Sequence, residues 1–287
     1  MAMRRVFPVS SSLFSSRRRL LFLFFPFFLA PMVFVTTAQG HEGRRIRLRV
    51  MTFNLHHGAD IGNLPNLRAM AALLRELDPE IIALQEVDRR WGLRSLWRDQ
   101  TAWLARVLEM EGVFAATIDR RPSRPGRGEY GLAVLSRLPI RAADFLLLPG
   151  ELEHRGALLV WVQKEGEAFP VACTHLGLST ADRRRQVAAL RRWLPEDPRL
   201  LLLGDFNVEA TAPEIQEITE HLTDLQAACG HSHEGTYFHF GRPVRIDYLF
   251  AGPAWQPLIC RPFPRRVSDH FPVVAELMLS DNCQPIN

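Results

Sequence analysis

The sequence predicts an α/β layered protein of one domain. Three observations lead there. Short apolar runs of strand length alternate with stretches whose apolar residues recur at helical spacing. No linker divides the chain past residue 45. Polar, chemically capable residues stand repeatedly at the ends of the apolar runs, where a rigid scaffold places functional groups. The 47% apolar and 23% charged content is that of a globular protein, which excludes a disordered chain.

The first forty residues read as a targeting segment. Arg17, Arg18 and Arg19 precede an uncharged, Phe-rich run from Leu20 to Val35, and Thr36-Thr37-Ala38 offers small residues for cleavage. Ser16 to Leu21 also resembles a twin-arginine export signal. Residues 1–40 are therefore expected to direct export to the periplasm or outside the cell. The alternative is a membrane anchor formed by residues 20–40. Five arginines in this segment account for the net charge of +4, and the remainder sits near −1. The high pI thus gives little support to nucleic-acid binding. Of the four cysteines, Cys173 falls in a core strand. Any disulfide is expected among Cys229, Cys260 and Cys283, and the absence of CxxC spacing disfavours a zinc cluster.

Residues 41–287 are expected to form the catalytic domain. Ile46, Leu48 and Val50 alternate with Arg47, Arg49 and Met51, which is a strand with one apolar face, and it ends at Asn54. Leu67, Met70, Ala71, Leu74 and Leu77 give a helix stopped by Asp78-Pro79. A strand from Glu80 to Leu84 leads into Gln85-Glu86-Val87-Asp88. Asp99 can cap a helix carrying Trp103, Leu104, Val107 and Leu108. Residues 120–127 read as a loop. Strands follow at Tyr130–Ser136, Ile140–Leu147, Ala157–Val162 and Phe169–Thr174, the last ending in His175. Ser179 or Thr180 starts a helix. Leu200 to Leu203 is a buried strand closed by Gly204. Beyond it, Asp205 and Asn207 point one way and Phe206 turns into the fold. Thr211 to Glu214 reads as a capping box, and Arg245–Phe250 and Phe271–Leu277 are the final strands.

The strand ends collect Asn54, Glu86, His175, Asp205, Asn207, Asp247, Asp269 and His270. Carboxylates, carboxamides and imidazoles in that mixture suit an oxygen-preferring cation combined with acid–base chemistry. No GxSxG, HExxH or phosphate-loop motif occurs, which disfavours serine hydrolases, zincins and nucleotide-loop ATPases.

Seven stretches in order carry a resemblance. They are Thr52-Phe53-Asn54-Leu55, Ile82-Ala83-Leu84-Gln85-Glu86-Val87, residues 130–137 (YGLAVLSR), Thr174-His175-Leu176, Gly204-Asp205-Phe206-Asn207, residues 245–250 (RIDYLF) and Ser268-Asp269-His270-Phe271-Pro272-Val273. Together they span about residues 46–279 and resemble the endonuclease/exonuclease/phosphatase superfamily of metal-dependent phosphoesterases. The resemblance implies a four-layer αββα sandwich, two packed mixed β-sheets flanked by helices. It implies Glu86 as the main ligand of Mg²⁺ or Mn²⁺, with Asn54 beside it and Asp269 nearby. Asp205 would orient or deprotonate the attacking water, and Asn207 would hold water or a phosphate oxygen. Protonated imidazoles would offset the phosphate charge. His270 would bind the scissile phosphate with Asp247 fixing its tautomer, and His175 would contact the phosphate or protonate the leaving oxygen. Arg155 would contact the phosphate, and Tyr130 either lines the phosphate pocket or packs in the core. The expected reaction is hydrolysis of a phosphodiester, nuclease-like, by metal-assisted in-line attack of water. The alternatives are a phospholipid or inositol phosphate substrate, or a catalytically silent binder of a phosphate ligand. No obligate protein partner is evident and a monomer is expected. His175 stands where abasic-site endonucleases of the superfamily carry tyrosine, which argues against a DNA-repair role.

Other residues have both a functional and an ordinary reading. His56 and His57 could reach the site or lie on the surface. Asp88 is expected to pair with Arg89 or Arg90, or to be solvated, rather than to bind a cation. Arg183–Arg185, Arg191 and Arg192 are expected on a solvated helix face. Trp91, Leu93, Leu96 and Trp97 could flank a substrate or touch lipid, with packing the ordinary alternative. His231, His233 and His239 show no metal spacing, and Gly126-Arg127-Gly128 carries little.

Overall fold

The computed structural model describes residues 46–120, 128–239 and 241–280. The targeting segment, residues 121–127 of the expected loop, and Cys283 lie outside them. The chain runs β1 (Arg47–Asn54), α1 (Leu67–Leu77), β2 (Ile81–Arg89), α2 (Gln100–Leu108), β3 (Glu111–Arg120), β4 (Gly128–Ser136), β5 (Ile140–Leu148), β6 (Arg155–Lys164) and β7 (Glu167–His175). It continues with α3 (Thr180–Trp193), β8 (Leu201–Asp205), α4 (Pro213–Thr219), β9 (Thr223–Asp224), α5 (Leu225–Ala228), β10 (Tyr237–His239), β11 (Arg242–Val244), β12 (Asp247–Ala251), β13 (Trp255–Pro262) and β14 (Val273–Leu279).

Two six-stranded sheets form, ordered β13-β14-β1-β2-β4-β3 and β5-β6-β7-β8-β12-β9, with β10 and β11 as a separate hairpin. Each sheet is mixed: β1 with β2 and β7 with β8 are parallel, and the other pairings are antiparallel. The inner faces meet in a core that includes Leu48, Val50, Val134, Val160, Phe169, Cys173 and Leu249. A second core lies under α1 and α2 and takes Met51, Phe53, Met70 and Leu74. A third lies under α3 and α4, with Val187, Leu190, Phe206 and Ile215. The result is the four-layer αββα sandwich. Met51, expected beside the outward arginines, is buried because α1 covers that face of β1.

Local signals explain most of the elements. Asp99 accepts from Ala102 N to cap α2, and Ser179 accepts from Asp182 N to cap α3. The expected capping box at Thr211 does not form. Ala212 takes the N-cap position, Pro213 opens α4, and the Glu214 carboxylate is buried 3.6 Å from Arg183. Arg183 is accordingly buried, not solvated, and also donates to the carbonyls of Gly177 and Leu178. Arg184, Arg185, Arg191 and Arg192 do lie on the exposed face. Gly204 does not close its strand; it lies within β8. A Cβ there would sit 2.0 Å from the Thr174 carbonyl oxygen, so only glycine allows β7 and β8 this approach. Cys173, Cys229 and Cys260 are free thiols, with Cys173 in the inner core.

Candidate active site

The paired parallel strands send their C-terminal ends to one end of the sandwich. Asn54 ends β1. On β2 a bulge between Leu84 and Val87 inserts one residue relative to β4, and Glu86 sits in the left-handed region at φ 57°. The bulge lets Leu84 and Val87, three apart, both pack under the helices, and it lets the Glu86 side chain face the cleft. His175, Asp205 and Asp247 are in direct register across β7, β8 and β12. Asp269 and His270 follow on the loop before β14. Ser268 ties that loop to β1, donating to the Asn54 carbonyl at 3.0 Å.

These groups converge on a cleft of about 960 Å³. Asn54 Nδ2 donates to Glu86 Oε1 (3.1 Å) and to Asp205 Oδ2 (3.0 Å), while its Oδ1 accepts from His56 N. Asn54 thus bridges the two carboxylates and turns its oxygen away from them, which differs from the expected ligand pose. Asp205 Oδ2 also lies 3.4 Å from His175 Nε2 and 3.6 Å from His270 Nε2, and its Oδ1 accepts from Asn207 N at 2.9 Å. Asn207 Nδ2 contacts His175 Nε2 at 3.0 Å and donates to the Leu176 carbonyl. His270 Nδ1 lies 2.8 Å from Asp247 Oδ2, which also accepts from Thr236 Oγ1 at 2.6 Å. Tyr130 and Arg155 line the cleft as expected.

Electrostatics separate the two histidines. Burial alone would lower the His270 pKa, but Asp247 and then Asp205 outweigh it and raise the group to about 10, so His270 is an imidazolium at neutral pH. His175 is held neutral by burial first, then by Arg155 and His270. Arg155 Nη1 lies 2.9 Å from His175 Nδ1 and is also paired with Glu153. Guanidinium only donates, so Nδ1 is an acceptor, while Nε2 faces the Asn207 amide nitrogen and the Asp205 carboxylate. Two expectations change here. The site holds one protonated imidazole rather than two, and the Arg155 guanidinium is engaged with His175 and Glu153. Burial, followed by repulsion from Asp247, raises Asp205 to about 7.

A cation fits this donor set. Glu86, Asp205 and Asp269 all line the cleft with carboxylates, and no thiol does. Asp205, Asp247 and His270 also bring ligand atoms within 4.8 Å of one another. A protonated His270 has no lone pair to offer a cation.

Asp88 falls outside this set. The bulge breaks the parity that would align it with Glu86, and the buried carboxylate takes a two-pronged pair with Arg94, not with Arg89 or Arg90. His56 and His57 both line the cleft, at φ 46° and 47°. His56 Nδ1 lies 3.8 Å from Asp269, and His57 Nε2 bonds Asn63 Oδ1. His231 pairs with Glu234 away from the cleft. Sequence reasoning gave no role to Thr236, Ser268, Glu153 or Tyr237, whose ring lies 4.6 Å from that of His270. Ser268 stood within a quoted motif, which was its only signal.

A sequence profile described as the Endonuclease/Exonuclease/phosphatase family matches residues 51–270. The chain belongs to this family. Its members hydrolyse phosphoester bonds with a divalent metal. The chain is 30% identical over 265 residues to the uncharacterized protein YbhP of Escherichia coli K12, covering 83% of this chain and 99% of that one. Among solved structures, an endonuclease/exonuclease/phosphatase from Beutenbergia cavernae superposes with a TM-score of 0.68 at 26% identity, covering 83% of this chain and 72% of the other. The mannosyl-6-phosphatase Bt3783 of Bacteroides thetaiotaomicron shares the fold (TM-score 0.62, 18% identity, 80% and 99% covered). So does D. rerio TDP2 complexed with single strand DNA product (TM-score 0.60, 17% identity, 80% and 98% covered).

Proposed function

We propose that this family member is a Mg²⁺- or Mn²⁺-dependent hydrolase in which Asp205 positions and deprotonates the attacking water. The observation that carries the reading is the surroundings of Asp205 Oδ2, where the Asn54 amide and the Nε2 atoms of His175 and His270 meet within 3.6 Å. Glu86 and Asp269 would hold the divalent ion, with the Asn54 amide orienting Glu86, and the ion would supply positive charge against the phosphate and the developing alkoxide. Asp205, with its pKa raised to about 7, accepts the water proton near neutral pH. His270, kept charged by Asp247, faces the phosphate and offsets charge in the transition state. His175 is neutral and has no acidic proton to release, so it serves to position Asp205 and not as the acid for the leaving oxygen. Asn207 holds His175 and Asp205 in place.

A phosphodiester is the first substrate class to test, with a nuclease-like reaction. A fold relative carries a DNA product and another is named a sugar phosphatase, so both ester types fit this scaffold. The charge near −1 outside the leader gives no general attraction to DNA, which keeps phospholipid and inositol phosphate esters in the test. A silent phosphate binder is disfavoured by the complete set of acid, carboxamide and histidine positions. We further infer that residues 1–40 direct export. The deciding experiment is a panel of nucleic acid, phospholipid and inositol phosphate substrates, with Mg²⁺ or Mn²⁺ and with chelator. Turnover that needs the metal supports the reading, and no turnover on any substrate overturns it.

A further inference from the structure

Ten large apolar side chains stand exposed among the described residues, and five of them gather on two neighbouring turns. Ile61 (50% exposed) and Leu64 (65%) lie between β1 and α1. Leu93 (78%), Leu96 (56%) and Trp97 (46%) lie between β2 and α2. A notch of about 230 Å³ is lined by residues 65–68, just after the first turn, and by Arg94, Ser95, Leu96 and Arg98 of the second. A single exposed leucine carries no information, but a cluster at one place does. The ordinary expectation, that Leu93, Leu96 and Trp97 pack into the protein, is not met.

The exposure is built in. Leu96 N donates to the Leu93 carbonyl and Trp97 N to that of Gly92, so the turn is closed on itself. Leu96 and Trp97 are both left-handed, at φ 51° and 55°, which is costly for a bulky side chain. Ser95 is buried beneath them, and the Asp88–Arg94 pair locks the base of the turn. The backbone thus holds the apolar tips outward at a cost.

Arginines outnumber acids around them. Arg68 and Arg90 are exposed and make no ion pair among the described residues. Arg68, Arg94 and Arg98 line the notch with Pro65 and Leu96. Of the nearby acids Asp88 is paired with Arg94, while Asp60, which accepts from Gly62 N and Leu64 N, and Asp99, which caps α2, keep their charge. The face also adjoins the site, because His57, Trp91 and Arg94 line the catalytic cleft. Leu178, 69% exposed, lines the same cleft from the loop after β7. Apolar tips at the apices of turns, set among arginines, suit insertion between anionic headgroups. A protein helix or strand would instead need the walls of a groove.

We propose that the turns 61–64 and 93–97 seat the mouth of the cleft on an anionic phospholipid surface. Leu64, Leu93, Leu96 and Trp97 enter the headgroup region, and Arg68, Arg90 and Arg98 meet lipid phosphates. This deepens the phosphoesterase reading, on which its consequence rests: the substrate class becomes a phosphoester presented at a membrane.

The test uses the full chain and the Leu93→Asp/Leu96→Asp variant, both carrying the same N-terminal segment. Each is sedimented with vesicles of phosphatidylglycerol and phosphatidylcholine in equal parts, and each is assayed with Mg²⁺ on soluble bis(p-nitrophenyl) phosphate. The wild type should bind at least about tenfold more tightly than the variant, since two leucines lose their apolar contact. Soluble turnover should be equal in the two. Vesicles with brominated acyl chains should quench wild-type fluorescence more than that of Trp97→Phe. Equal sedimentation of wild type and variant, or none of either, overturns the docking proposal. Vesicle binding that depends on Leu93 and Leu96, with no metal-dependent turnover of any phosphoester, overturns the phosphoesterase reading and leaves the docking surface standing.

Discussion

Asp205 and His270 set the two edges of a pH window. Turnover needs the first ionised and the second protonated. Activity should therefore rise as pH climbs through about 7 and fall as it passes about 10. A pH–rate profile checks both limbs. Stability follows the same groups with its own sign. The raised Asp205 favours folding below the ordinary carboxylate range, and that contribution is lost as pH rises through about 7. The His270 contribution is complete below pH 6.5 and lost through about 10, so His270→Gln should remove part of the alkaline fall in melting temperature. Glu86→Gln and His270→Ala should each reduce kcat by about 10²–10⁴-fold with the fold intact; unchanged turnover in either would sink the assigned roles. The identities of these residues were legible because they stand at strand ends in motif order. Their protonation was not. It comes from burial and from contacts such as Asp247 on His270, 23 residues apart, and Arg155 on His175.

At the scale of elements, two local departures from regular strand geometry aim the site. The bulge at Gln85–Glu86 turns Glu86 into the cleft while Gln85 reaches Cys173 on the opposite sheet, at 3.2 Å. Counting alternate residues assumes no bulge and would align Asp88 with Glu86. In β8, Gly204 lets Asp205 sit level with His175. Gly204→Ala should destabilise the protein by about 3 kcal/mol or more, read from the urea midpoint, because a backbone carbonyl must move. The central strands were readable as apolar runs. The edge strands β3 and β13 were not, because half of their residues face solvent and dilute the pattern. The short β9, β10 and β11 have too few residues to show a period.

The whole molecule holds its shape through three apolar cores, none of which needs a cation. Chelation should therefore abolish turnover while leaving the far-ultraviolet circular dichroism unchanged, and excess Mg²⁺ or Mn²⁺ should restore activity. A cation that held the sandwich together would give loss of both signals. The direction of β1 has a practical consequence. Asn54 ends β1 at the cleft, and Arg47 at its other end pairs with Met278 of β14. The described chain thus enters and leaves at the pole opposite the catalytic mouth. Fixed to a bead through an added tag at either terminus, the protein should keep its full rate on a macromolecular substrate. Fixed through a cysteine introduced at position 64, it should lose that rate. The molecule has a handle and a working end, and the polarity of one strand decides which is which.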